Sequence, residues 1–313
     1  MRKACLDAIR DLARRDPRVV FVGSDLGAGT MSGFAEEFPD RFFMEGVSEA
    51  HLVGMVSGLA MNGMIPYLNA IAVFLTRRCF EQVLLDAALH HLPVRLVGNG
   101  GGVVYAPLGP THLAVDDFAL LRAVPGMTIV APCDAEEMRR LVAVSAEHPG
   151  PLYIRIAKGG EPVVSRPEAG FAIGRAIAVA GGGDVLLVTT GVLLQAALLA
   201  REALAGRGIA AAVLHMHTVK PLDAAALLEA AGRVRAVVTI EEHLVSGGLG
   251  SAVAEALAEA NLERAPRFRR LALPEAFLSQ YGSQRDILAA CGLDEAGIAA
   301  AVQALLEGPP PVR

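Results

Sequence analysis

Short apolar, β-branched runs alternate along the chain with segments whose apolar residues recur at helical spacing. VVFVGSDLG, part of MIPYLNAIAVF, PVRLVGNGG, TIVAP and PLYIRIAKGG read as buried strands with their following turns. MRKACLDAIRDLARRDPRVV opens as an amphipathic helix, a charge-free helix follows Glu49, and further helices are predicted over residues 78–89 and DAEEMRRLVAVSAE. Asp134 stands where a helix start needs an acceptor, and Glu137, three residues on, completes a capping-box pattern. Strands without polar alternation, separated by helices, predict parallel sheets covered on both faces.

EPVVSRPEAGFAIGRA, rich in Pro, Gly and charge, reads as a linker over residues 161–176. After it the alternation resumes. DVLLVTTG predicts a strand, QAALLAREALAGRG a helix ending on glycine, and IAAAVLHMHTVKPLD a strand and turn. AVVTIEEHLVSGGLGSAVAEALAE supplies a strand, a glycine loop and a helix. The prediction is an α/β protein of two three-layer α/β/α domains, residues 1–160 and 177–313. Gly181–Gly183 precede a strand, so they read as a turn and not a dinucleotide fingerprint. GSDLGAGTMSGF follows a strand and is a weak candidate for cradling phosphate, and the tail PPPVR is predicted to fray.

Between His51 and Leu75 no residue is charged, a run long enough on length alone to span a bilayer. Gly54, Gly58, Asn62, Gly63, Pro66 and Asn69 interrupt it, so a buried helix followed by a buried strand, in a soluble protein, is predicted instead. With 313 residues there is chain enough for two ordinary domains, and 19% charged residues leave surface to bury against partners. A net charge of −5 gives no basic footprint for nucleic acid. Cys5, Cys79, Cys133 and Cys291 are far apart and form no Cys-x-x-Cys pair. Neither a disulfide framework nor a zinc site is predicted, and a reducing, cytoplasmic setting is expected. His215 and His217 fall on one face of a strand, where the sequence offers no third metal ligand, so no metal site is predicted. His243, at a glycine-rich turn, is expected to be structural or to line a substrate entrance.

The candidate chemistry lies between Phe43 and His112. FMEGVSEAHLVGMVSGLAMNG puts one carboxylate, Glu49, at the start of an apolar helix. VFLTRRCFEQ brings an aromatic and two arginines, and YAPLGPTHLAVDD holds His112 in a loop with Gly109 and Pro110. Residues in this order resemble the pyrimidine-binding domain of the transketolase family, and HTVKPLD and EEHLVSGGLG resemble its C-terminal domain. The resemblance spans nearly the whole chain and implies thiamine diphosphate as cofactor. It places Glu49 on the family's catalytic glutamate, whose carboxyl binds N1′ of the aminopyrimidine and favours the imino tautomer that acts as local base. An apolar surround suits a carboxyl that holds and shares a proton. Phe74 falls where the family stacks an aromatic on that ring, and Arg77 on an arginine of the deoxyxylulose-phosphate synthase branch. His112 falls on the substrate-facing histidine, able to exchange a proton with a hydroxyl or carbonyl. Arg78 reads as a surface charge at a helix start.

Two departures matter. The family's Gly-Asp-Gly…Asn motif for magnesium and diphosphate is absent from this sequence. The resemblance therefore implies a split enzyme whose N-terminal partner subunit holds Mg2+, in an α2β2 heterotetramer. Leu108 occupies the position of an aspartate that contacts a ketose hydroxyl, which argues against the usual pentose phosphates. Lys158 falls near the family's phosphate-binding arginine, keeping the charge without the fork, and Arg2 aligns with another phosphate-contacting arginine. The implied reaction is transfer of a two-carbon ketol unit from a ketose donor, expected on these residues to be phosphorylated, to an aldehyde. The competing readings are the beta subunit of a 2-oxoacid dehydrogenase, a specialised acyloin or ketol transferase of secondary metabolism, and a non-catalytic paralogue that pairs with a true enzyme subunit. Gly-Pro-Thr-His points away from the dehydrogenase.

Overall fold

The computed structural model describes residues 1–24 and 30–308. Residues 25–29 of the candidate phosphate turn and the PPPVR tail lie outside those residues. The first domain runs α1 (Arg2–Arg15), β1 (Val19–Gly23), α2 (Ser32–Glu37), β2 (Phe42–Met44), α3 (Glu49–Met61) and β3 (Ile65–Ile71). It continues with the helical run α4 (72–88), β4 (Arg95–Asn99), α5 (Asp117–Arg122), β5 (Thr128–Val130), α6 (Ala135–Ser145) and β6 (Leu152–Ile156). Its strands pair in parallel in the order β2-β1-β3-β4-β6-β5.

Alternation along each strand builds the layers. Val19 and Phe21 of β1 join Cys5, Ile9 and Leu12 of α1 on one face. Val20 and Val22 join Leu52, Val53 and Val56 of α3 on the other. The uncharged run after His51 is thus a helix and a strand, both packed in one domain. Asp134 caps α6 as expected, accepting from Glu136 and Glu137 N–H at 3.0 and 2.9 Å. Glu137 does not close the box. Its Oε2 accepts the Cys133 N–H at 2.7 Å and faces His215 at 3.0 Å, because a buried carboxylate gains more from a partner in the other domain.

The second domain contains β7 (Ile177–Ala180), β8 (Val185–Thr189), α7 (Leu194–Ala205), β9 (Ala211–His215), β10 (Thr218–Lys220) and α8 (Ala224–Ala231). β11 (Ala236–Leu244), α9 (Leu249–Glu259), β12 (Arg267–Leu273), α10 (Gln284–Ala290) and α11 (Glu295–Glu307) complete it. Its sheet has the order β12-β11-β8-β9-β7, with only β7 antiparallel. Gln284–Glu307 is apolar and long enough in total to cross a membrane. It is nevertheless two helices, broken at Gly292, whose φ of +70° suits glycine. Ile298 and Val302 of α11 are buried in this domain's core.

The two domains are not beads on a string. β10, which the sequence pattern assigns to a strand and turn, leaves the second sheet and pairs antiparallel with β5 of the first. It covers an edge whose backbone groups would otherwise face water. The linker is anchored too: Val164 and Ser165 N–H both donate to Asp134, and Phe171 stacks on His217 with centroids 4.2 Å apart.

His217 is fully buried at this junction, and burial lowers its imidazole to about 4. Between pH 6.5 and about 4 the unfolded chain therefore takes up a proton that the folded chain refuses, so acidification in that window favours unfolding. The loss attributable to His217 is of order 3 kcal/mol across the window. His148, lowered to about 4 by burial, adds a second contribution. His217→Gln is expected to reduce the drop in thermal midpoint between pH 6.5 and 4.5 without removing it. An unchanged drop would show that His217 takes no part.

Candidate active site

Polar side chains collect at the carboxyl ends of the parallel strands, where the order reverses between β1 and β3. Glu49 enters there as the first residue of α3. Its side chain is 2% exposed and lies across from Arg78, whose Nη1 donates to Oε2 at 2.8 Å. Among the described hydrogen bonds, Glu49 does not turn back onto its own helix; Ser48 Oγ donates to the Glu45 carbonyl instead. Leu52 and Val53, one turn along, are fully buried and fix the helix start.

The expected helix over 78–89 starts earlier, so Phe74, Arg77 and Arg78 are helical and not on a strand end. The stretches Phe74–Arg78 and Val83–Ala88 are wound as wide π turns, a form often found at functional sites. Arg78 Cζ lies 4.4 Å from the Phe74 ring centroid. The His112 ring meets the same phenylalanine edge-on, at 5.3 Å and 69°. Glu49, Phe74 and His112, far apart in sequence, thus share one cluster with Arg78 between the first two. Cys79, in the same wall, is pushed up to about 12 by burial and then by the charge of Glu49. Arg78, which the sequence presents as a surface charge, is half-exposed but directs its guanidinium inward.

Arg77, expected among the cofactor-binding residues, has its guanidinium committed elsewhere. It pairs with Asp116 at 2.8 Å and donates to the Leu113 carbonyl at 3.0 Å, pinning the segment after His112. A second arginine holds the same segment from beneath. Arg155 on β6 bonds the Ala114 and Glu242 carbonyls at 2.8 and 2.9 Å and pairs with buried Asp117 at 2.9 Å. It also stacks on Phe118, with Cζ 4.3 Å from the ring centroid. Tyr153 donates to the same aspartate at 2.8 Å. Neither Asp117 nor Arg155 is among the candidates that the sequence motifs supply, although an arginine within the apolar strand PLYIRIA is a usable signal.

The second domain closes on this segment. His243 is buried and stacks on Phe118 at 5.3 Å. Its Nε2 accepts from Ala119 N–H at 3.2 Å while Nδ1 donates to the Leu244 carbonyl at 2.7 Å, a structural assignment that fixes its tautomer. Glu242 accepts from Val103 N–H and from Gln284, and burial raises its carboxyl. Glu241 accepts the Leu249 and Gly250 N–H groups at the start of α9. A Cβ at Gly248 would lie 2.1 Å from that carboxylate, which explains the glycine of the sequence motif.

Leu108 shares the loop with His112 and is 56% exposed on a tight turn. Lys158 is exposed just beyond β6. The Met1 ammonium pairs with Glu161 at 3.0 Å, and Glu161 also accepts from Gly159 N–H, so Arg2 and Lys158 belong to the same corner. Asn69 and Asn99, at the ends of β3 and β4, bond each other and leave Asn69 Nδ2 and Asn99 Oδ1 buried without a partner. The third group that the sequence did not offer His215 does exist. Cys133, Glu137 and His215 place donor atoms within 4.8 Å of one another. Glu137 is lowered to about 2, with His215 its main stabilising partner against burial, while burial raises Cys133 strongly. The trio thus reads as a buried carboxylate–imidazole contact beside a protonated thiol.

Residues 1–161 match the transketolase pyrimidine-binding domain, and 174–298 match the transketolase C-terminal domain. The chain is 36% identical over 303 residues to one of the subunits of apulose-4-phosphate transketolase from Phocaeicola vulgatus, covering 95% of this chain and 94% of that one. It is 39% identical over 304 residues to 1-deoxy-D-xylulose-5-phosphate synthase 1 of Geobacter sulfurreducens, and spans 47% of that relative's length. A solved structure described as a split gene transketolase, inactive beta4 tetramer, superposes with a TM-score of 0.89 at 36% identity, covering 97% of each chain. With both domains matched in order and a relative that is itself a transketolase subunit matched over nearly its full length, the chain belongs to the thiamine diphosphate-dependent transketolase family.

Proposed function

We propose that this chain is the C-terminal subunit of a split transketolase-like enzyme, moving a two-carbon ketol unit from a ketose donor to an aldehyde acceptor. The observation that carries the reading is the buried Glu49 carboxylate set beside the Phe74 face with His112 at its edge. Support for the division of labour comes from the apulose-4-phosphate transketolase relative, matched over nearly its whole length, and from the synthase, matched over half.

These residues fit the aminopyrimidine end of the cofactor. The space between Glu49 and Phe74 already takes a flat, delocalised group with N–H donors on its edge, the Arg78 guanidinium. Thiamine diphosphate, when bound, supplies the nucleophilic carbon that carries the ketol unit. With the cofactor bound, Glu49 would hold the proton shared with the ring nitrogen, and Phe74 would supply the apolar platform that orients the ring. His112, on its pinned loop, exchanges a proton with the substrate's hydroxyl or carbonyl oxygen. Arg77 and Arg155 keep that loop in place, which is where precise positioning gains rate. Mg2+ and the diphosphate are assigned to the partner subunit, in an α2β2 assembly, because such charge needs several oxygen donors around the metal. Lys158 and Arg2 are the groups assigned to a donor phosphate. The four free cysteines suit a reducing, cytoplasmic setting.

The isolated chain is expected to bind thiamine diphosphate weakly, and the pair to bind it in a magnesium-dependent way. Micromolar, magnesium-dependent calorimetric binding by the chain alone would overturn the split assignment. In the reconstituted pair, Glu49→Gln should lower kcat for ketol transfer by about 100-fold or more, the range for a lost proton-transfer group. Assembly by size exclusion and thermal midpoint should stay near wild type; near-normal turnover would remove Glu49 from the chemistry. Leu108→Asp restores an acceptor on the donor loop and should raise kcat/KM for xylulose 5-phosphate. No change would place donor selection elsewhere.

A further inference from the structure

Arg78 takes up both contacts assigned to the aminopyrimidine. Its Nη1 donates to Glu49 Oε2 at 2.8 Å, and its Cζ lies over the Phe74 ring, 4.4 Å from the centroid. We infer that Arg78 is an internal occupant of the aminopyrimidine seat, which the cofactor must expel, so that this residue sets how tightly the chain takes up the ring. The inference rests on the function proposed above.

The occupancy is exclusive for a steric reason. Carbon atoms in contact are roughly 3.5–4 Å apart, so no second flat group fits between Phe74 and a guanidinium at van der Waals distance. The likeness of the two occupants is chemical. A guanidinium and an aminopyrimidine are both planar and delocalised, and each turns an edge nitrogen to the carboxylate, the guanidinium donating its N–H and the ring nitrogen sharing the proton that Glu49 holds. Arg stacks on an aromatic face through the ring quadrupole, and the heteroaromatic ring through offset stacking.

The arrangement also identifies which partner moves. Glu49 is 2% exposed and anchored in the first turn of α3, whereas the Arg78 side chain is 50% exposed. A buried carboxylate without a partner is costly, so the chain alone gains from supplying one. The long arginine side chain can return its charge to water while its stem stays packed. Arg77 cannot substitute, being held by Asp116 and the Leu113 carbonyl. The seat is therefore closed by the chain's own ion pair and opened by exchange of the guanidinium for a flat ring and the proton it shares with Glu49.

Calorimetry with 4-amino-5-hydroxymethyl-2-methylpyrimidine on the isolated chain, and with thiamine diphosphate and magnesium on the reconstituted pair, tests this directly. Arg78→Met keeps bulk and removes the donors and charge; it should tighten both bindings by tenfold or more. Arg78→Lys, which keeps charge but loses the flat stack, should fall between Met and wild type. Adding Glu49→Gln to Arg78→Met should abolish the gain, which locates it at the shared carboxylate. Circular dichroism checks that each variant is folded. Unchanged or weaker binding by Arg78→Met, including no detectable binding of the pyrimidine by either form, overturns the inference. Failure of the function itself looks different: the wild-type pair would then bind no thiamine diphosphate at all.

Discussion

The arrangement around the candidate site depends on one buried cation. Arg155 rises from the interior strand β6 and is only 7% exposed. Burial of a guanidinium is tolerable only if its donors are met. Here the charge is met by the Asp117 carboxylate 2.9 Å from Nε, by the Ala114 and Glu242 carbonyls accepting from Nη2, and by the Phe118 face. Those partners come from the segment that follows His112 and from β11 of the second domain. Satisfying one charge therefore fixes the position of a loop and the seating of a domain together. A Cβ at Gly101 would sit 2.3 Å from the Arg155 side chain, so glycine is needed there for the arginine to fit.

The second domain contributes no group to the Glu49–Phe74–His112 cluster among the described contacts, yet it shapes that cluster from behind. His243 stacks on Phe118, Glu242 takes the Val103 N–H at 2.8 Å, and Lys220 donates to the Arg122 and Val124 carbonyls at the end of α5. β10 extends the first sheet. Interfaces of this kind, buried and hydrogen-bonded, make two domains behave as one scaffold, and a site that needs sub-ångström placement gains from such backing.

Charge is distributed unevenly between the buried and the open side of the site. Behind the loop Arg155 pairs with Asp117 and bonds the Glu242 carbonyl, while the Glu241 and Glu242 carboxylates are held by the α9 N–H groups and by Val103 N–H and Gln284. On the open side Glu49 and Arg78 form a pair with one member buried and one half in water. The first group has no freedom to respond to a ligand; the second does. That contrast separates residues that hold the loop from residues that can exchange partners with a small molecule.

Much is legible in the chain itself. Apolar β-branched runs between helical repeats specify parallel sheets in two layers of cover, because period and burial follow from local sequence. The order of Glu49, Phe74 and His112, each in a distinctive short motif, is enough to identify the family, and Asp134 announces the start of α6. Other features depend on contacts between distant segments. The early start and π winding of α4, the transfer of β10 to the other sheet, and the diversion of Glu137 from its capping role to His215 are set by packing and by partners across the domain boundary. The two adjacent arginines show the limit most plainly. Sequence places Arg77 at the cofactor and Arg78 at the surface, while in the fold Arg77 pins the His112 loop and Arg78 faces Glu49. Neighbours in sequence have similar local propensities, but a helix sends them in different directions, and only the tertiary structure determines which carboxylate lies at the end of each.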